Sequence, residues 1–312
     1  REIQIDARFD KAKETSIEAE GQFPVVNSFG GSTFAKVSWK RYRKEGNNRT
    51  LVSGNVKFKS RGDDSYSSEY NLNLSTIGSN ILKFIEKGNN FTLPVIAFYE
   101  CDRLWTSKGR VKIEDSAKKQ YSRFEPYLDC FHTGTDDKEL SEWLFKQEMI
   151  SLQKKEKTAI SGAIESAVKM ALEGCSGFAY HFEESRVIVE FTDGRRIPFE
   201  HFSDGQRTIV GLVCDIARRA TILNPHLNNN ICDTAIGVVL IDELDLHLHP
   251  SWQRTVIENL RKVFPKIQFI CTTHSAFLIQ SLRDSGELIM LDGVPLVEYS
   301  SKGIEDIARN MG

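Results

Sequence analysis

The chain has 312 residues, 40% of them hydrophobic and 27% charged, and 41 basic against 43 acidic side chains leave a formal charge of −2. That length and balance support one large globular domain or two ordinary ones and exclude a basic signature spread over the whole molecule, so any nucleic-acid surface must be local. Six cysteines, at 101, 130, 175, 214, 232 and 271, show neither CxxC pairing nor metal-ligand spacing, which suits free thiols in a reducing cytosol, and no apolar run is long enough to cross a bilayer.

Arg1 opens directly into strand-like alternation at Ile3, Ile5, Ala7 and Phe9, so the sequence reads as continuing from an upstream segment. Residues 1 to 60 read as strands and turns. Phe34 to Tyr42 and Leu51 to Phe58 flank the turn signal Glu45-Gly46-Asn47-Asn48, the pattern of a hairpin. Between 36 and 61, Lys36, Lys40, Arg41, Arg43, Lys44, Arg49, Lys57, Lys59 and Arg61 face one acid, Glu45, with Trp39, Tyr42 and Phe58 interleaved. Two readings stand: a platform for nucleic acid, or a solvated cationic face backed by an aromatic core face. Leu72 to Lys87 is expected to be helical and Leu93 to Tyr99 to be a buried strand. Arg103, just beyond that strand, has the reach of either a phosphate ligand or a structural salt bridge. Residues 107 to 135 give weak signals. A long helical pattern then runs from Leu140 to Leu172, interrupted by charge at 154–157, so two helices or a bent one are expected.

The C-terminal half is clearer. Phe178 to Phe182, Arg186 to Phe191 and Arg196 to Phe199 read as strands, with a hairpin turn at Asp193-Gly194. Phe202-Ser203-Asp204-Gly205-Gln206-Arg207 opens an amphipathic helix from Thr208 to Ile222. The continuous apolar run Val238 to Ile241 is a strand buried on both faces, and it ends in two adjacent carboxylates, Asp242 and Glu243. Pro250 sits in a first helical turn and Ser251 to Val263 is expected to be one helix. Ile267 to Cys271 is a second core strand, ending in Thr272-Thr273-His274-Ser275, and Glu287 to Leu291 and Pro295 to Tyr299 read as closing strands. This alternation predicts an α/β fold with a parallel core sheet, an antiparallel β lobe and a helical insertion, with function at the strands' C-terminal ends.

Paired acids at the end of a core strand suit a Mg²⁺ nucleotide, one carboxylate holding the ion and the next activating water; the bland alternative is an acidic helix cap. Ser203-Asp204-Gly205-Gln206 at a helix start offers backbone N–H groups and a dipole to an anion, or is merely a cap. His274 at a strand end would bond a terminal phosphate or be a satisfied structural histidine. His247 and His249 have H-x-H spacing, which suits a metal site or structural or interface roles.

Together, and in this order, the three pieces resemble the ABC-type ATPase head of SMC, Rad50, RecF and OLD-like proteins. Residues 202–206 look like its signature motif, 238–243 like Walker B with the following catalytic glutamate, 244–247 like the D-loop, and His274 like the switch histidine. The resemblance implies Mg²⁺ at Asp242, water polarised by Glu243, and His274 sensing the γ-phosphate. It further implies that Ser203, Asp204, Gly205 and Gln206, with Asp245 of the D-loop, serve an ATP bound mainly by a second subunit of a homodimer. That family also needs a phosphate loop, GxxxxGK[ST], which this sequence does not contain; Phe29-Gly30-Gly31-Ser32-Thr33 lacks the lysine, and the loop is expected upstream of Arg1. The division expected is 1–139 as an N-terminal ATPase lobe, 140–172 as a helical insertion and 173–312 as a C-terminal ATPase lobe.

Residues 93–99, Arg103-Leu104-Trp105, Ser122-Arg123-Phe124 and Glu142-Trp143, with Asp242 to Pro250, narrow the resemblance to the ATPases of Septu anti-phage systems, some of which act as retron effectors. That implies a separate HNH nuclease (PtuB-like) as partner and, in a retron, reverse transcriptase with its RNA-linked DNA. An OLD- or RecF-like DNA-processing ATPase and a non-hydrolysing, nucleotide-stabilised scaffold remain as alternatives.

Overall fold

The structure, a computed structural model, describes residues 4–9, 14–26, 32–44, 51–59, 66–70, 74–101, 122–128, 130–131, 137–283 and 285–289. The turn at 45–48, residues 29–31 of the 29–33 segment, Arg103 to Trp105 and the expected strand at 295–299 lie outside them. The chain forms two compact units, 1–93 and 94–312.

The first unit is an antiparallel meander of β1 (Gln4–Phe9), β2 (Glu14–Val26), β3 (Ser32–Lys44), β4 (Leu51–Lys59) and β5 (Tyr66–Tyr70), neighbours in sequence being neighbours in the sheet. The expected hairpin is β3–β4. Register sets Lys40 opposite Glu18, Lys44 opposite Glu14 and Lys57 opposite Glu69. α1 (Leu74–Glu86) lies against β2.

The second unit is built on a parallel sheet in which β10 (Gly237–Ile241) runs between β6 (Val95–Tyr99) and β11 (Ile267–Cys271). Register pairs Tyr99, Ile241 and Cys271, so the three strands end level and deliver their following residues to one edge. Val95, Ala97, Tyr99, Val239 and Ile241 are buried. The charged run splits the long helical pattern into α2 (Asp137–Lys154) and α3 (Ala159–Ala171): Lys155 takes a left-handed φ of 55°, and Thr158 caps α3 by accepting the Ser161 N–H at 3.1 Å. Leu140, Trp143 and Leu144 of α2 are buried, as are Ile164, Ala167 and Val168 of α3. Both helices lie against β7 (Cys175–His181), which pairs with β8 (Arg186–Phe191) and β9 (Arg196–Pro198) in an antiparallel sheet. The turn between β8 and β9 holds Gly194 at φ 87°, where a glycine carries no steric cost.

α4 (Asp204–Leu223) is the central element: every residue from Thr208 to Thr221 is buried, and it lies against α3, β6 and α7 (Val256–Val263). It is followed by the short α5 (Ile231–Thr234), and α6 (Pro250–Gln253) precedes α7. The single helix expected over 251–263 is thus two, because the backbone turns at 254–255. α8 (Ala276–Gln280) follows β11. The start of the closing strand expected at 287–291 is instead part of a 3₁₀ turn, 285–287. Glu287 accepts the Arg283 N–H at 3.0 Å and pairs with Arg261 at 2.7 Å, which closes the chain locally rather than extending it.

Candidate functional site

At the level edge of the parallel sheet the chain leaves β10 through Asp242 and Glu243 and leaves β11 through Thr272, Thr273 and His274. The Asp242 N–H donates to the Tyr99 carbonyl at 2.8 Å, and the Thr272 N–H to the Ile241 carbonyl at 3.0 Å, so ladder bonding continues past the strands. Glu243 then turns into a left-handed conformation, φ 48°, as does His247 at 63°. Such a conformation costs an L-residue about 1 kcal/mol and persists where neighbours hold it. The holding contacts come from β11's exit: the Thr272 hydroxyl donates to Asp242 Oδ1 at 2.5 Å and accepts the Glu243 N–H at 2.8 Å, and the Leu244 N–H donates to the Thr272 carbonyl at 3.0 Å. One residue along, the Thr273 hydroxyl donates to Asp245 Oδ1 and accepts the Ser275 N–H at 2.9 Å.

The 244–249 loop is folded on itself by the Leu246 N–H to the Glu243 carbonyl and the Leu248 N–H to the Asp245 carbonyl, at 2.9 and 3.0 Å. Gln253 of α6 donates to the Leu248 carbonyl at 2.9 Å and accepts the Ser275 hydroxyl at 2.6 Å, joining this loop to the start of α8. His249 caps α6, its Nδ1 accepting the Ser251 N–H at 3.3 Å. Capping a helix is one of the structural roles open to this histidine.

Ser203 begins α4 with a reciprocal capping box: its hydroxyl accepts the Gln206 N–H at 3.4 Å, and Gln206 Oε1 accepts the Ser203 N–H at 3.2 Å. The serine hydroxyl also donates to Gln206 Oε1 at 3.2 Å, so it is engaged in the cap. Ser203 and Asp204 are exposed, Gly205 and Gln206 half-buried. Gly205 packs so closely on the 244–249 loop that a Cβ there would lie 2.5 Å from the His247 carbonyl oxygen. The start of α4 and the loop after β10 are therefore one packed assembly within this chain. Asp242, Glu243 and Asp245 are half-buried and His274 exposed.

Behind this edge lies a buried ionic cluster that the sequence reading missed. The Tyr99 phenol donates to Asp215 Oδ2 at 2.7 Å, Arg219 Nε to the same oxygen at 2.7 Å, and Arg218 Nη2 to Oδ1 at 3.2 Å. Burial pushes the Asp215 carboxyl up, but the adjacent Arg219 and Arg218 charges outweigh it and hold the group at about 2. Burial and the Asp215 charge raise the Tyr99 phenol well above its ordinary range, so it remains a donor. Arg219 Nη1 also reaches the Pro126 carbonyl at 2.9 Å, and Arg123 Nε the Leu223 carbonyl at 2.5 Å, which fastens the C-terminal end of α4 to residues 122–128.

The donor set fits a hydrated Mg²⁺. One ordered, half-buried carboxylate at a strand end matches an ion that keeps most of its waters and takes its remaining ligands from phosphate.

Residues 134–280 match the protein family described as "AAA domain, putative AbiEii toxin, Type IV TA system". The Retron Vc95 probable ATPase of Vibrio cholerae is 48% identical over 90 residues, 29% of this chain and 17% of that protein. The Septu protein PtuA of Bacillus mycoides is 41% identical over 93 residues, 30% of this chain and 12% of that protein. PtuA of Bacillus thuringiensis is 28% identical over 135 residues, 40% of this chain and 34% of that protein. The chain thus spans about a sixth of the retron relative's length and about a third, at most, of these PtuA proteins. Among solved structures, an SMC head bound to the C-terminal winged-helix domain of ScpA has 13% identity and a TM-score of 0.41, covering 86% of this chain and 69% of its own. The sequence matches make this chain similar to PtuA and to the retron probable ATPases.

Proposed function

We propose that this chain binds Mg·ATP and hydrolyses it as a cytoplasmic subunit of a Septu or retron-Septu anti-phage complex, working as a homodimer that controls an associated HNH nuclease. The observation that carries the reading is the joining of Asp242, Glu243 and the 272–274 segment at one sheet edge, with the α4 start packed on the intervening loop. It is supported by the ATPase names of the retron relatives and the Septu name of the others.

In this reading Asp242 holds Mg²⁺ through the carboxylate that Thr272 orients. Mg²⁺ held there would supply charge neutralisation on the phosphates. Glu243 positions and polarises the attacking water and His274 bonds the terminal phosphate from the neighbouring strand end. Ser203, Asp204, Gly205 and Gln206, with Asp245, face a nucleotide held mainly by the second subunit, which couples hydrolysis to assembly.

The test is steady-state ATP turnover by the full-length protein and its Glu243→Gln variant. We expect turnover to fall at least about tenfold in the variant, with ATP binding retained and the nucleotide-bound assembly persisting longer in size-exclusion runs. Equal turnover by the two proteins sinks the catalytic assignment of Glu243.

A further inference from the structure

A hydroxyl has one proton to give and lone pairs to receive, and Thr272 uses both toward β10's exit. Its proton goes to Asp242 Oδ1 at 2.5 Å, a short bond to a carboxylate, and its oxygen takes the Glu243 N–H at 2.8 Å. Its carbonyl takes the Leu244 N–H at 3.0 Å. Three consecutive residues of the acidic exit are thus held by one residue of the neighbouring strand. Two of these bonds depend on the side chain, and both act where orientation matters: one on the carboxylate assigned to the metal, the other on the residue whose left-handed backbone aims the second acid.

Resting on the ATPase reading above, we infer that Thr272 is a positioning residue: it fixes the rotamer of the Asp242 carboxylate and holds Glu243 in its left-handed turn, without itself touching nucleotide. A bare helix cap would not need this arrangement, because an acidic cap bonds the backbone of its own helix rather than a hydroxyl on the adjacent strand. Valine has the shape of threonine and neither bond. In Thr272→Val the bond that Thr272 donates to the Asp242 carboxylate and the one it accepts from the Glu243 N–H are lost, while the β11 main-chain bonds stay.

The experiment compares the full-length protein with Thr272→Val and Thr272→Ser by ATP turnover against ATP and against Mg²⁺, and by calorimetric titration of Mg²⁺ into protein with a non-hydrolysable ATP analogue, corrected for Mg²⁺ binding to the analogue alone. Thr272→Val is expected to lower kcat about tenfold to hundredfold with KM for ATP changed less than about threefold, and to raise the Mg²⁺ concentration needed for half-saturation several-fold. Thr272→Ser keeps the hydroxyl and is expected to restore both readings to within about threefold of the parent. A Thr272→Val protein that matches the parent in kcat and in Mg²⁺ dependence overturns the inference. So does a Thr272→Ser protein as impaired as Thr272→Val, since the methyl and not the hydroxyl would then be what counts. The calorimetric arm reads Asp242 independently of hydrolysis. Failure of the ATPase reading shows as unchanged turnover in Glu243→Gln, whereas failure of this inference shows as unchanged Mg²⁺ dependence in Thr272→Val.

Discussion

Gly237→Ala is expected to leave the second unit unable to fold. Gly237 opens β10 in register with Val95 of β6, and a Cβ built on it would lie 2.1 Å from the Val95 carbonyl oxygen and 2.6 Å from its nitrogen. These are main-chain atoms of the partner strand, and Val95 is itself pinned through its N–H to the Ile236 carbonyl at 2.7 Å. No rotamer change relieves the clash; β6 and β10 must separate where the parallel ladder begins. Overpacking by side chains costs about 1–3 kcal/mol, and a backbone clash of this depth exceeds that, reaching a large share of the 5–15 kcal/mol that holds an ordinary domain together. The check is soluble yield and urea midpoint against the parent. Gly162→Ala serves as the comparison: Gly162 lies inside α3 with nothing within 4 Å of its Cβ position, so alanine there is expected to add about 0.5–1 kcal/mol. A Gly237→Ala midpoint within experimental error of the parent would falsify the close approach.

Asp215→Asn is expected to cost about 3–5 kcal/mol at pH 7, because it leaves Arg218 and Arg219 in a buried site without their carboxylate. The same cluster predicts an acid limb. The folded carboxyl sits at about 2, below its ordinary value near 4, so its contribution is present above about pH 4 and is lost as pH falls toward 2. The shift corresponds to about 2 kcal/mol. Unfolding free energies measured in urea at pH 7, 4 and 2 should therefore fall in the parent and change less in Asp215→Asn, the two converging toward the acid end. Parallel curves for the two proteins would remove Asp215 as the source of the acid limb.

The elements legible in the sequence are those whose signal is local. Ile267 to Cys271 is a strand over the expected residues, because β-branched and apolar side chains fill it apart from Gln268. Ser203 caps α4 because serine followed three residues later by glutamine closes a box with no outside help. The charged run at 154–157 breaks α2 from α3 because nothing there has a core to enter. What stayed hidden depends on partners far away in the chain. Tyr99 meets Asp215 across 116 residues, and neither residue type announces the other. The lysines of β3 read as a cationic cluster until the register sets Glu14 and Glu18 opposite two of them. Arg123 belonged to a motif noted for its resemblance, yet its use, holding the Leu223 carbonyl, emerges only from the fold. Thr272 was passed over because His274, two residues on, is the more conspicuous side chain.

Most helices have a wet side along which they can flex; α4, buried without a break from Thr208 to Thr221, has none. The 14 residues from Thr208 to Thr221, about 21 Å of the 20-residue helix, are enclosed on every flank and move together or not at all. Its far end is gripped by Arg123, and Arg219, one turn earlier, by Pro126; its near end carries Ser203 to Gln206. A pull on residues 122–128 would therefore reach the capped end as displacement rather than being absorbed by bending on the way. The helix that looks like the most static part of the molecule is, mechanically, its push-rod.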